Sequence, residues 1–145
     1  MSNNVIKIAN CSGFYGDKLS AAKELVDGGP IDVLTGDYLA ELTMAILYGQ
    51  KINRGEDKGY VGTFLKQIKE VAKDCKEKNI KIVSNAGGLN PKSMAKEIEK
   101  ILNEQAIDMK VAYIDGDDLL PRMEALSESG EKFENIDKKT PLNDS

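Results

Sequence analysis

The chain has 145 residues, a net charge of -4 and no histidine. That length fits one domain with a sizeable core that needs neither disulfides nor a metal, and the mixed charges and pI near 5.0 leave no basic stripe for nucleic acid. Without an imidazole of its own, the chain cannot build Ser-His-Asp or Cys-His catalysis, nor a histidine-bearing zinc site.

Met1 to Asn4 lead into the first strand without a cleavable apolar segment, and no apolar run reaches membrane-span length, so the expectation is a cytoplasmic protein with no membrane partner. Val5-Ile6-Lys7-Ile8 alternates as a strand does, and Leu19, Ala21, Ala22, Leu25 and Val26 recur at helical spacing. Between them Gly13 and Gly16 have two readings. They either shape a loop whose free N–H groups hold an anion at a helix N-terminus, or serve a tight turn with Asp17 as cap. Asp27-Gly28-Gly29-Pro30 stops the helix.

A second strand, Ile31 to Thr35, leads through Gly36-Asp37 into a helical pattern that begins at Tyr38. Leu39, Leu42, Ala45 and Ile46 lie on one side and Met44, Leu47 and Tyr48 on the other; a helix apolar nearly all round is buried or meets a partner. The polar stretch from Gly49 to Gly59 is expected to be a mobile loop and lid. Val61, Phe64, Leu65, Ile68, Val71, Ala72 and Cys75 form one stripe of a third helix, which makes Cys75 a core thiol. Asn79 closes it, and Ile80 to Ser84 form the third strand. Asn90-Pro91 opens a fourth helix with Met94, Ala95, Ile98, Ile101 and Leu102 inward. Met109 to Ile114 reads as a fourth strand, followed by a short helix at Met123, Ala125 and Leu126.

Strand and helix thus alternate. The pattern predicts an α/β fold: an open three-layer, Rossmann-like parallel sheet of about four strands with covering helices, over residues 1–126. Residues 127–145 form a polar, poorly ordered tail.

Ligands of such sheets bind outside the carboxyl ends of the strands. There the chain offers four glycine-bearing polar loops. Asn10, Gly13, Tyr15, Gly16, Asp17, Thr35, Gly36, Ser84, Gly87, Gly88 and Asn90 are the candidate ligand contacts, with Ser12, Asp37 and Asn85 orienting a reacting group. Cys11 is either a nucleophile stabilised as thiolate at a helix N-terminus or a small half-buried residue at a strand end. Asp37 and Glu41, four apart on one predicted helix face, could join Asp115 and Asp117 around Mg²⁺ or Mn²⁺, with Asp118 nearby. Acids at helix heads are equally explained by capping and dipole effects. No dinucleotide fingerprint or Walker lysine is present.

Three blocks occur in order: Ala9 to Ala22 (ANCSGFYGDKLSAA), Gly28 to Met44 (GGPIDVLTGDYLAELTM) and Lys81 to Pro91 (KIVSNAGGLNP). Together they resemble the acyclic terpene utilisation (AtuA) family, from about Val5 to Asn135 and over its N-terminal part only. The resemblance implies a role in breakdown of acyclic terpenes or related branched acyl compounds, with a small anionic or CoA-type ligand. Family members usually continue well past the equivalent of Thr140, so the chain is expected to self-associate or to need a partner chain supplying the rest of the domain. Two rivals stand beside an enzyme domain of this kind. One is a non-catalytic subunit that binds a partner through the Leu42-to-Tyr48 helix, and the other is a Mg- or Mn-dependent lyase or hydrolase.

Overall fold

A computed structural model describes residues 5–141. Its contacts divide the chain after Ile114 into two compact units. In the first, strand β1 (Ile8–Asn10) is followed by helix α1 (Ala21–Gly28), β2 (Val33–Gly36), α2 (Glu41–Arg54), α3 (Gly62–Glu77), β3 (Lys81–Ser84) and α4 (Pro91–Glu104). The second contains a 3-10 turn at Leu120–Arg122, α5 (Met123–Glu128) and an isolated antiparallel bridge between Glu134 and Pro141. The last four residues of the predicted tail, 142–145, lie outside the described residues. Among the described residues no helix is long and apolar enough to cross a membrane.

The three strands are parallel and lie in sequence order, β1-β2-β3. Ala9, Leu34 and Ile82 stand in register on one face, and Asn10, Thr35 and Val83 form the adjacent row on the other. Successive right-handed crossovers that advance in one direction put their helices on the same side of the sheet. Leu34 is accordingly buried with Ala22 and Val26 of α1, Val71 and Cys75 of α3, and Ile80. On the opposite face Ile8 is 65% and Val83 59% exposed. The expected three-layer arrangement is therefore not met among the described residues of this unit. A second helical layer would require the chain to return past β1 and add strands on its other side.

The expected fourth strand also differs. Ile107, Met109 and Val111 are half-buried against the core while Asp108, Lys110 and Ala112 are exposed, the alternation of a strand. Yet no backbone hydrogen bond joins this segment to β3 among the described residues. A cavity of about 560 Å³ lies between them, lined by Lys81 to Ser84, by Asp108 to Ala112 and by apolar side chains of α3 and α4.

Local signals are met at most helix ends. Helix α1 stops at Gly28 before the Gly29-Pro30 pair. Asn79 takes φ 56° as α3 ends, with Ile80 N–H donating to the Cys75 carbonyl at 2.8 Å. Asn90 caps α4, its side-chain oxygen accepting from Ser93 N–H at 3.1 Å with Pro91 in the first turn. The predicted lid is different: residues 49–54 continue α2, and the loop from Gly55 to Gly59 is tied down. Asn90 Nδ2 donates to the Glu56 and Lys58 carbonyls, and Leu89 N–H to that of Gly59.

Candidate functional site at the carboxyl ends of the strands

Three of the four predicted loops meet where the strands end. Thr35 Oγ1 donates to Asn10 Oδ1 at 3.1 Å, and Asn10 Nδ2 donates to the Ser12 carbonyl at 2.9 Å. That carbonyl also accepts Asp37 N–H at 3.0 Å. Asn85 Nδ2 then donates to Asp37 Oδ1 at 2.6 Å, and Asn85 Oδ1 accepts Tyr38 N–H at 2.8 Å. Ser84 Oγ closes the rim by donating to the Gly36 carbonyl at 2.8 Å while accepting from Ala86 N–H. Asn10, Asp37 and Asn85 are exposed, so the rim faces solvent with a carboxylate held in a fixed orientation by an amide.

The opening loop is built otherwise than expected. Helix α1 begins only at Ala21, so Asp17 does not cap it. Instead Asp17 Oδ2 accepts Gly13 N–H at 2.9 Å and Oδ1 accepts Lys18 N–H at 2.7 Å. The Gly13 bond, then the Lys18 bond, hold this carboxyl below the ordinary aspartate value. Gly13 and Gly16 are exposed beside it, and Tyr15 is half-buried, its hydroxyl 3.5 Å from Gln50 Nε2 of α2.

The helix expected to begin beside Cys11 begins only at Ala21; the residue is 4% exposed, and burial pushes its thiol up, the reverse of thiolate stabilisation. Its sulfur lies 3.7 Å from the Tyr38 hydroxyl, which in turn bonds Gln67 Oε1. Gln67 Nε2 donates to the Leu19 carbonyl at 3.3 Å. Burial pushes the Tyr38 hydroxyl up as well. This enclosed group ties the β1 loop and the β2 loop to α3. Sequence reasoning misses Tyr38 and Gln67. The available signal is a glutamine on the apolar stripe of α3, since a buried amide demands partners.

Gly87 and Gly88 have packing roles that account for them. Gly87 is buried, and a Cβ there would stand 2.9 Å from Pro91 Cα; Gly88 takes φ +51°, and a Cβ would run into Leu47 and stand 2.9 Å from the Gly59 carbonyl. Asn90 is committed to its cap and to the loop before α3.

Within the first unit, Asp37 and Glu41 are not placed as expected. Because α2 begins at Glu41, Asp37 lies in the loop bonded to Asn85, and the two acids do not share a helix face. Asp115 and Asp117 are exposed in the second unit, and Asp118 Oδ1 accepts Leu120 N–H at 3.0 Å at the 3-10 turn. Among the described residues no three His, Cys, Asp or Glu form a group able to hold a metal ion.

The fold and rim define an α/β protein with a polar surface at the carboxyl ends of a short parallel sheet. The chain belongs to the AtuA family: the model described as acyclic terpene utilisation family protein AtuA matches residues 6–145. No curated protein and no solved structure matches it.

Proposed function

We propose that the chain serves the use of acyclic terpenes or related branched acyl compounds by binding such a compound at the carboxyl ends of its strands. The family assignment supports the substrate class. The observation that carries the ligand reading is the position of Ser84. Its hydroxyl belongs to the polar rim, and the same residue lines the cavity beside β3, whose walls include Phe64, Ile68, Met94, Ile98 and Leu102. A polar head at Asp37 and Asn85 and a branched hydrocarbon tail in the cavity fit that pairing of surfaces. Asp37 Oδ1 accepts from Asn85, which leaves Oδ2 to receive a donor, so the head carries a hydroxyl or amide as well as any charge. CoA thioesters supply both.

Calorimetric titration with acyclic terpenoid acids, their alcohols and their CoA thioesters tests the reading. Saturable binding is expected, weakened by Asp37→Ala at the rim and by Ile98→Trp in the cavity. Absence of binding by all three ligand groups would overturn it. Parallel titration with Mg²⁺ and Mn²⁺ tests the metal-dependent rival.

A further inference from the structure

The free edge of β3 and the segment from Asp108 to Ala112 line the same cavity with backbone groups unpaired on both sides. Lys81 N–H donates to the Asp32 carbonyl just before β2 at 3.0 Å. Successive residues of a parallel strand turn their N–H and C=O to opposite sides, so Ile82 and Ser84 direct theirs away from β2. Among the described residues β3 pairs with β2 alone, and no backbone N–H of Asp108, Lys110 or Ala112 finds a backbone acceptor.

The side chains of the two segments match in one register. Ile82 lies on the helix-covered face of the sheet and Met109 packs toward the core, while Lys81, Val83, Asp108 and Lys110 are exposed. Setting Ile82 beside Met109 puts Lys81 beside Asp108, opposite charges that have no ion-pair partner among the described residues. A shift of two residues one way sets Lys81 against Lys110, and a shift the other way draws Ala106, at φ 55°, into the strand.

We infer that residues 108–112 are a gate with a second position, zipped onto β3 as a fourth parallel strand, which closes the cavity. In that position the Ile82 and Ser84 N–H groups donate to the Asp108 and Lys110 carbonyls, and the Lys110 and Ala112 N–H groups donate to the Ile82 and Ser84 carbonyls. Closure brings the segment against the apolar walls of Phe64, Met94 and Ile98 and so competes with a hydrocarbon tail for them. The pairing stands on the two edges; its effect on binding rests on the ligand reading above.

Amide exchange followed by NMR without ligand tests the pairing. Ile82, Ser84, Lys110 and Ala112 are expected to exchange slowly and Val111, whose N–H turns away from β3, fast. Fast exchange at the four, or equally slow exchange at Val111, would overturn the gate. Asp108→Lys sets like charges side by side and speeds exchange at the four amides about twofold to fivefold, and adding Lys81→Asp reverses this; unaltered rates in Asp108→Lys would overturn the register. Val83→Cys/Lys110→Cys, at exposed sites that become neighbours about 4.8 Å apart in the zipped position, forms a disulfide on oxidation and loses binding of terpenoid acids and their CoA thioesters until it is reduced. Unchanged binding by the cross-linked chain would overturn the gate. If the reduced chain also binds none of these ligands, the ligand reading fails, while the exchange rates still decide whether the fourth strand forms.

Discussion

Helices α2 and α3 are both rich in apolar residues, yet α3 buries Phe64, Gln67, Ile68, Val71, Ala72 and Cys75 whereas α2 buries Thr43 and Leu47. The difference comes from their tasks in the chain. A crossover between parallel strands needs one helix to carry the chain back along the sheet, and α3 does so, packed against α1 and α4. Helix α2 is an addition between β2 and that return. Its contact with the core runs through Leu47, which packs with Tyr38, Tyr60, Val61, Phe64 and Ala86 in one cluster. Apolar content therefore does not set burial here; place in the crossover does.

Substitutions on the two helices should separate widely. Phe64→Ala is expected to cost about 3–5 kcal/mol of stability in urea unfolding, and Leu42→Ala at low protein concentration less than about 0.5 kcal/mol. Equal costs would show that α2 is covered within the monomer. Next in size is the seat of α2 on the loop after β3. Gly88→Ala forces a side chain into Leu47 at positive φ and should cost about 1–3 kcal/mol, with a smaller loss if Leu47 is shortened to Ala beforehand.

The polar member of the α3 stripe gives a third contrast. Tyr38→Phe leaves the buried Gln67 oxygen without its donor, an expected loss of about 1–2 kcal/mol. Unfolding of Tyr38→Phe beside Tyr38→Phe/Gln67→Leu measures it; no recovery in the double variant would break the link.

A last contrast is a pH dependence on the same stripe, absent at neutral pH. Burial pushes the Cys75 thiol up from 9.0 to about 11. Between those values the folded state holds a proton that the unfolded state has released, so stability falls as pH rises from 9.0 toward 11. Cys75→Ala should flatten that part of the stability profile, and native-state alkylation at neutral pH should be slow at both cysteines. Fast labelling of Cys11 alone would restore its nucleophile reading.

The parts of this molecule legible in the sequence are those set by neighbours along the chain. The stripes of α3 and α4, the stop at Gly28, the turn at Asn79 and the Asn90-Pro91 cap are matters of periodicity and local backbone preference. The carboxyl-end loops are legible as candidates because glycine and short polar residues follow each strand. Which of their side chains join is not. The apolar pattern starts at Tyr38 and so places Asp37 on a helix with Glu41, but Tyr38 itself turns inward to Cys11 and Gln67, and the helix starts three residues later.

By itself, then, the sequence determined the alternation of strands and helices, the family, and which residues are apolar enough to need cover. The tertiary structure alone decided which of them receive it: Leu34 and Leu47 are enclosed, while Ile8, Val83 and Leu42 remain exposed. The reason is physical. Burial depends on strand order and crossover hand, and these are relations between segments distant in the chain that no local pattern records.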